Sequence, residues 1–166
     1  MAESKELEVL KKALLLERQG RAFYQRVSKD SASEAVSNLF AIMADEEQKH
    51  IEYLSEQFSH FSAKGEFLQK EPGGADKTSV REILSSEIRN QISAASYEAA
   101  AISAAMEMEN RAVAVYGERA ESSDDPRERK LYAWLAQWET GHLKFLAEIN
   151  DQLLEEVWYE SGFWPF

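Results

Sequence analysis

Apolar residues recur along this chain at three- and four-residue spacing in four long stretches, the period of an amphipathic helix. The first, over 5–29, puts Leu10, Ala13, Leu14, Gly20 and Tyr24 on one face, with Glu17 in its middle. The second, over 34–62, carries Leu39, Phe40, Met43, Ala44, Ile51, Leu54 and Phe58 on the stripe that also holds Glu47 and His50. The third, over 97–121, is rich in alanine and surrounds Glu109 with Ile102, Ala105, Met106, Ala112, Val113 and Tyr116. The fourth, over 126–157, flanks Glu139 and His142 with Leu131, Tyr132, Leu135, Ala136, Leu143 and Leu146. A lone carboxylate inside an apolar stripe is costly to bury. Each of these four stripes therefore calls for partners from the others.

The breaks between stretches set the topology. Ser4, Ser33, Ser96 and Asp125 stand where helix N-caps belong, and Pro126 suits a first helical position. The link over 30–33 is short, so the first two helices are antiparallel neighbours. The connection over 63–95 is long. It carries the breakers Lys64-Gly65-Glu66 and Glu71-Pro72-Gly73-Gly74-Ala75-Asp76, and a short helix is expected to open at Ser79. It is long enough to run the length of a bundle, and is expected to let helix 3 start at the end where helix 1 starts. It also permits helices to be exchanged between protomers. The expected fold is a single all-α domain over 1–166, an antiparallel four-helix bundle with a long crossover between helices 2 and 3. The aromatic tail over 158–166 is expected to plug one end of the bundle or to form a dimer contact.

A shift of 92 residues relates the two halves. It carries Glu17 onto Glu109, Tyr24 onto Tyr116, Glu47 onto Glu139 and His50 onto His142. The chain thus resembles a two-fold internal repeat, about 4–62 and 96–154. Each half supplies one Glu from its first helix and a Glu-x-x-His pair from its second. Residues three apart share a helix face, so each pair can close on one divalent ion. Four Glu and two His form the ligand set of a carboxylate-bridged two-metal site inside a four-helix bundle. The chain has only three His, and two of them lie in these pairs. The third, His60, is expected at the surface, and Glu46 and Glu107 lie off the ligand faces and are expected in solvent. Tyr24 and Tyr116 have two readings: core packing, or hydrogen bonding to a ligand carboxylate or a bound oxygen species.

Composition narrows the chemistry. The net charge of −11 argues against nucleic acid and anionic membranes as partners. No apolar run is long enough to span a bilayer, and the start of the chain lacks the regions of a signal peptide; the expected location is cytoplasmic. There is no Cys, which excludes disulfides and any thiolate or rubredoxin-type iron site within these residues. Carboxylates and imidazoles without thiolates suit two Fe ions, with Mn as the alternative.

At these residues the chain resembles the ferritin-like superfamily, and most closely its rubrerythrin group. The resemblance implies that Glu17 and Glu109 are terminal ligands, that Glu47 and Glu139 bridge, and that His50 and His142 each hold one ion. It implies reduction of hydrogen peroxide or O2 with electrons from a separate donor protein, in a homodimer or larger homo-oligomer. Rubrerythrins typically carry a further Glu at the position of Ala112, and a rubredoxin domain that a chain without Cys does not hold. Bacterioferritin is similar in ligand set, but its haem-ligating Met is Gln48 here. Manganese catalase shares the ligand logic. The alternatives are a ferroxidase and iron storage protein, and a metal-stabilised helical binding module.

Overall fold

The computed structural model describes residues 4–70, 88, 91–93 and 96–160, and they form four long helices. These are α1 (Lys5–Asp30), α2 (Glu34–Lys64), α3 (Tyr97–Ser122) and α4 (Pro126–Glu160). Each begins where a capping side chain stands. Ser4, Ser33 and Ser96 accept the N–H groups of Leu7, Val36 and Ala99, and Asp125 Oδ1 accepts that of Arg127 at 2.8 Å. Each cap satisfies a donor that the first helical turn leaves without an acceptor. α2 stops at Gly65, whose φ of 70° lies in the left-handed region and whose N–H returns to the Phe61 carbonyl. Glycine adopts that conformation without a Cβ penalty.

α1 packs along α2, and α3 along α4, giving two hairpins that meet most closely between α1 and α3. The Tyr24 hydroxyl donates to Glu109, and the Tyr116 hydroxyl donates to Glu17. Both crossings at once require α1 and α3 to be antiparallel. In a parallel pair set for the first contact, the second would be 14 residues out of step, about 21 Å along the axis.

α3 therefore does not start where α1 starts, contrary to the expectation from the connection's length. Its first turn lies at the opposite end, where Glu98 accepts the Ala32 N–H at 2.8 Å and the Ser31 hydroxyl at 3.1 Å in the α1–α2 turn. The reason is directional. α2 returns the chain to the end where α1 begins, so a connection running the bundle's length carries it away from that end. The described parts of the connection fit this path. Gln57, near the end of α2, bonds the Leu68 N–H and carbonyl at 2.9 and 3.3 Å. Gln91 accepts from Ser33 Oγ at 2.9 Å and the Ala35 N–H at 3.2 Å, at the start of α2. The short helix expected at Ser79 and the tail beyond Glu160 lie outside the described residues.

The buried side chains form two apolar clusters, one toward each end of the bundle. One holds Tyr24, Val27, Val36, Phe40, Ile102 and Leu146, joined by Ile88 and Ile92 of the connection. The other holds Leu10, Leu54, Phe67, Tyr116, Leu131 and Leu135. Each large side chain buried this way stabilises the fold by about 1.5–3 kcal/mol. The polar middle is thus clamped from both sides. The two halves differ at their turns. Val27 and Val36 are core residues in the first hairpin, whereas the same positions in the second are Arg119 and Glu128. These two form a buried pair with two bonds of 2.7 Å, and Ser123 Oγ donates to Glu128 at 2.6 Å. Among the described residues, no helix is long and apolar enough to cross a membrane.

Candidate metal centre

α1 contributes Glu17, α2 Glu47 and His50, α3 Glu109, and α4 Glu139 and His142, all buried between the two apolar clusters. Their ligand atoms fall into two groups, each with all atoms within 4.8 Å of one another. One group is Glu17, Glu47, His50 and Glu139; the other is Glu47, Glu109, Glu139 and His142. Glu47 and Glu139 stand in both, where a carboxylate has one oxygen for each of two ions. His50 Nδ1 lies 3.0 Å from Glu17 Oε2, 3.0 Å from Glu139 Oε1 and 3.5 Å from Glu47 Oε2. His142 Nδ1 lies 3.0 Å from Glu139 Oε2, 3.3 Å from Glu109 Oε1 and 3.8 Å from Glu47 Oε1.

These residues fit a pair of divalent cations. Among the described residues, both oxygens of Glu139 and Nδ1 of His142 are buried without an aligned hydrogen-bond partner, although they lie 3.0 Å from neighbours. Buried polar atoms in that state are expensive unless something charged sits among them. Electrostatics point the same way. Burial, then the charges of Glu139 and Glu17, hold the Glu47 carboxyl well above its ordinary range. Burial and Glu139 lift Glu109 to about 7. Burial works against charge on the imidazoles. The carboxylates of Glu139, Glu17 and Glu47 override it at His50, and those of Glu109, Glu139 and Glu46 override it at His142, so both rings rise well above the usual histidine value. Glu139 is the exception: the two imidazoles overcome its burial and hold it well below the carboxylate range. A cluster that draws protons this strongly lacks positive charge, and metal ions supply it.

A narrow cavity of about 50 Å³ opens onto the site between α1 and α3. Leu16, Gly20, Met108 and Ala112 line it, with the exposed Gln19 and Arg111 at its rim and ligand carboxylates as its floor. Gly20 and Ala112 are equivalent under the 92-residue shift. A family model for rubrerythrin matches residues 8–150, a span that takes in all six candidate ligands. The chain belongs to the rubrerythrin family. No curated protein and no solved structure matches it. Rubrerythrin-family proteins typically bind iron, and the Glu/His cluster is where this member can hold it.

Three further groups shape the centre of this rubrerythrin-family protein. Tyr24 and Tyr116 are buried donors to Glu109 and Glu17, each serving the carboxylate of the opposite hairpin. Burial and the nearby carboxylates hold both phenols well above their ordinary pKa, so they remain protonated donors. Glu46 is not in solvent, contrary to the expectation from its helix face. Its Oε2 lies 2.5 Å from His142 Nε2, and its side chain is 17 % exposed. Burial works against its charge, but bonds from His142 and the Trp138 indole hold its pKa below the usual value. Trp134 and Trp138 pack edge-on to His50, with ring centroids 5.4 and 5.1 Å away. Glu107 is exposed, and His60 belongs to neither ligand group. Glu46 and the two Trp were missed because their contacts come from the facing hairpin, which periodicity along one helix does not reveal. Their signal was that positions 46 and 138 are equivalent in the repeat and adjoin the two Glu-x-x-His pairs.

Proposed function

We propose that this chain is a di-iron oxidoreductase that reduces hydrogen peroxide or O2 with electrons delivered by a separate donor protein. The observation that carries the reading is the cavity between α1 and α3. It reaches the buried carboxylates directly, holds a few water-sized molecules at most, and has small residues, Gly20 and Ala112, at equivalent points of its wall. Two iron ions held by Glu17, Glu47, His50, Glu109, Glu139 and His142 would supply the two electrons that cleave the O–O bond of peroxide. With two protons from solvent, peroxide then leaves as two waters.

The remaining roles belong to the side chains. Tyr24 and Tyr116 fix the orientations of Glu109 and Glu17. The Trp134 and Trp138 rings shield the His50 side of the site from solvent. The electrons come from outside because these residues hold no thiolate iron site. A homodimer is the expected assembly.

The test is anaerobic reduction of the iron-loaded protein, followed by peroxide addition and particle sizing. The expected result is about two Fe per chain, oxidised at roughly two Fe per peroxide, in a small oligomer. Many Fe per chain in a hollow particle would replace this reading with iron storage. Stoichiometric Mn with oxygen evolution would replace it with a catalase. Binding of zinc alone in iron-supplemented cells would overturn it.

A further inference from the structure

The two halves of the centre offer the same ligands but back their histidines differently. Position 46 is a glutamate, and its equivalent 92 residues on, position 138, is a tryptophan. Each faces the histidine of the opposite hairpin. His142 Nε2 meets Glu46 Oε2 at 2.5 Å. His50 Nε2 is buried and meets no hydrogen-bond partner among the described residues, and the His50 ring packs against both Trp134 and Trp138.

We infer that the two metal positions are inequivalent, and that the position beside His142 and Glu109 binds its ion more tightly and fills first. A carboxylate behind an imidazole fixes the ring's orientation and makes the opposite nitrogen a stronger donor to a cation. It also brings an additional negative charge close to one ion. His50 has the Trp134 and Trp138 rings beside it and no carboxylate on Nε2 among the described residues, so its Nδ1 is the weaker ligand. Glu46 is thus a positioning residue that acts through His142.

The inference rests on the two-metal reading of the site, but its test does not use peroxide or any turnover. Metal-free protein receives one equivalent of Co(II), and anomalous diffraction at the cobalt edge locates the ion, while absorption follows a two-step titration. In the unsubstituted protein, the first equivalent is expected beside His142. Glu46→Gln keeps the shape and removes the charge. It should weaken the tighter step by about 10–100-fold, move the other step much less, and even out the occupancies. Trp138→Glu supplies His50 with a carboxylate and should likewise even them out. Equal occupancy in the unsubstituted protein would overturn the inference, as would an equal loss at both steps in Glu46→Gln. If no cobalt binds stoichiometrically, the two-metal reading itself fails and this inference falls with it. Normal partition without peroxide reactivity would uphold the inference and refute only the proposed activity.

Discussion

Loading this site with metal must expel protons, because its buried imidazoles and two of its carboxyls are shifted toward their protonated forms. At pH 7 the metal-free cluster holds a proton on each of His50 and His142, whose pKa values stand well above 6.5. Glu47 is also shifted toward its protonated form by burial and by the charges of Glu139 and Glu17, and Glu109, at about 7, holds about half a proton. Glu139 holds none. A bound divalent ion needs every ligand deprotonated. Two ions should therefore release at least about two protons per chain near pH 7. The overall two-ion affinity should then fall by about 100-fold or more for each unit that the pH drops near 7, which is about 2.7 kcal/mol. Calorimetric titration with Co(II) in buffers of different ionisation enthalpy measures the number directly. The slope of observed heat against buffer enthalpy is the proton count. A slope near zero, or affinity that does not change between pH 6 and 7, would refute the reasoning, because it would mean the buried carboxylates and imidazoles already stand in their metal-binding charge state.

The same groups make the metal-free fold weaker as pH rises above about 5. His50, His142, Glu47 and Glu109 all have folded pKa values above their ordinary ones, so the native state binds more protons than the unfolded state over that window; a melting temperature of the metal-free protein that climbs with pH would contradict this. Tyr116→Phe leaves a buried Glu17 oxygen without its donor and should cost about 1–3 kcal/mol in urea unfolding. Gly20→Ala should stabilise by about 0.5–1 kcal/mol in the same assay, because a Cβ there meets Glu47 Cδ only at an ordinary 3.7 Å and the helix gains propensity. Glu128→Ala should cost about 3–5 kcal/mol by stranding Arg119, and replacing both Arg119 and Glu128 by Val should recover most of it. The urea midpoint of the double variant decides this, since Val27 and Val36 already fill the equivalent positions of the first hairpin.

The helices and the six ligand candidates were legible because their signals are local. Three-residue spacing puts Glu47 with His50, and Glu139 with His142, on single helix faces, and the caps at Ser4, Ser33, Ser96 and Asp125 mark the starts within a turn. What stayed hidden depends on the direction and rotation of one hairpin against the other. The start of α3 beside the α1–α2 turn follows from tracing direction through the crossover, and residue types alone do not supply it. Glu46 is one position off its helix's ligand stripe, and only the arrival of His142 from α4 turns it from a solvent residue into a half-buried partner. Arg119 and Glu128 carry no local signal of their pairing, which arises only when the turn folds them onto each other and Ser123.

The repeat separates these cases further. Positions that hold the same residue in both halves, such as Glu17 and Glu109, Tyr24 and Tyr116, or the two Glu-x-x-His pairs, converge on the centre. A two-fold turn of one hairpin onto the other presents each such residue to its counterpart, so a single residue type serves both sides. Among the positions that differ are Val27 against Arg119 and Val36 against Glu128 at the turns, and Glu46 against Trp138 behind the histidines. The first two change how a turn is held without touching a ligand. The third touches a ligand on each side, and so it alone among these differences can make two ions bound by matching ligands behave differently.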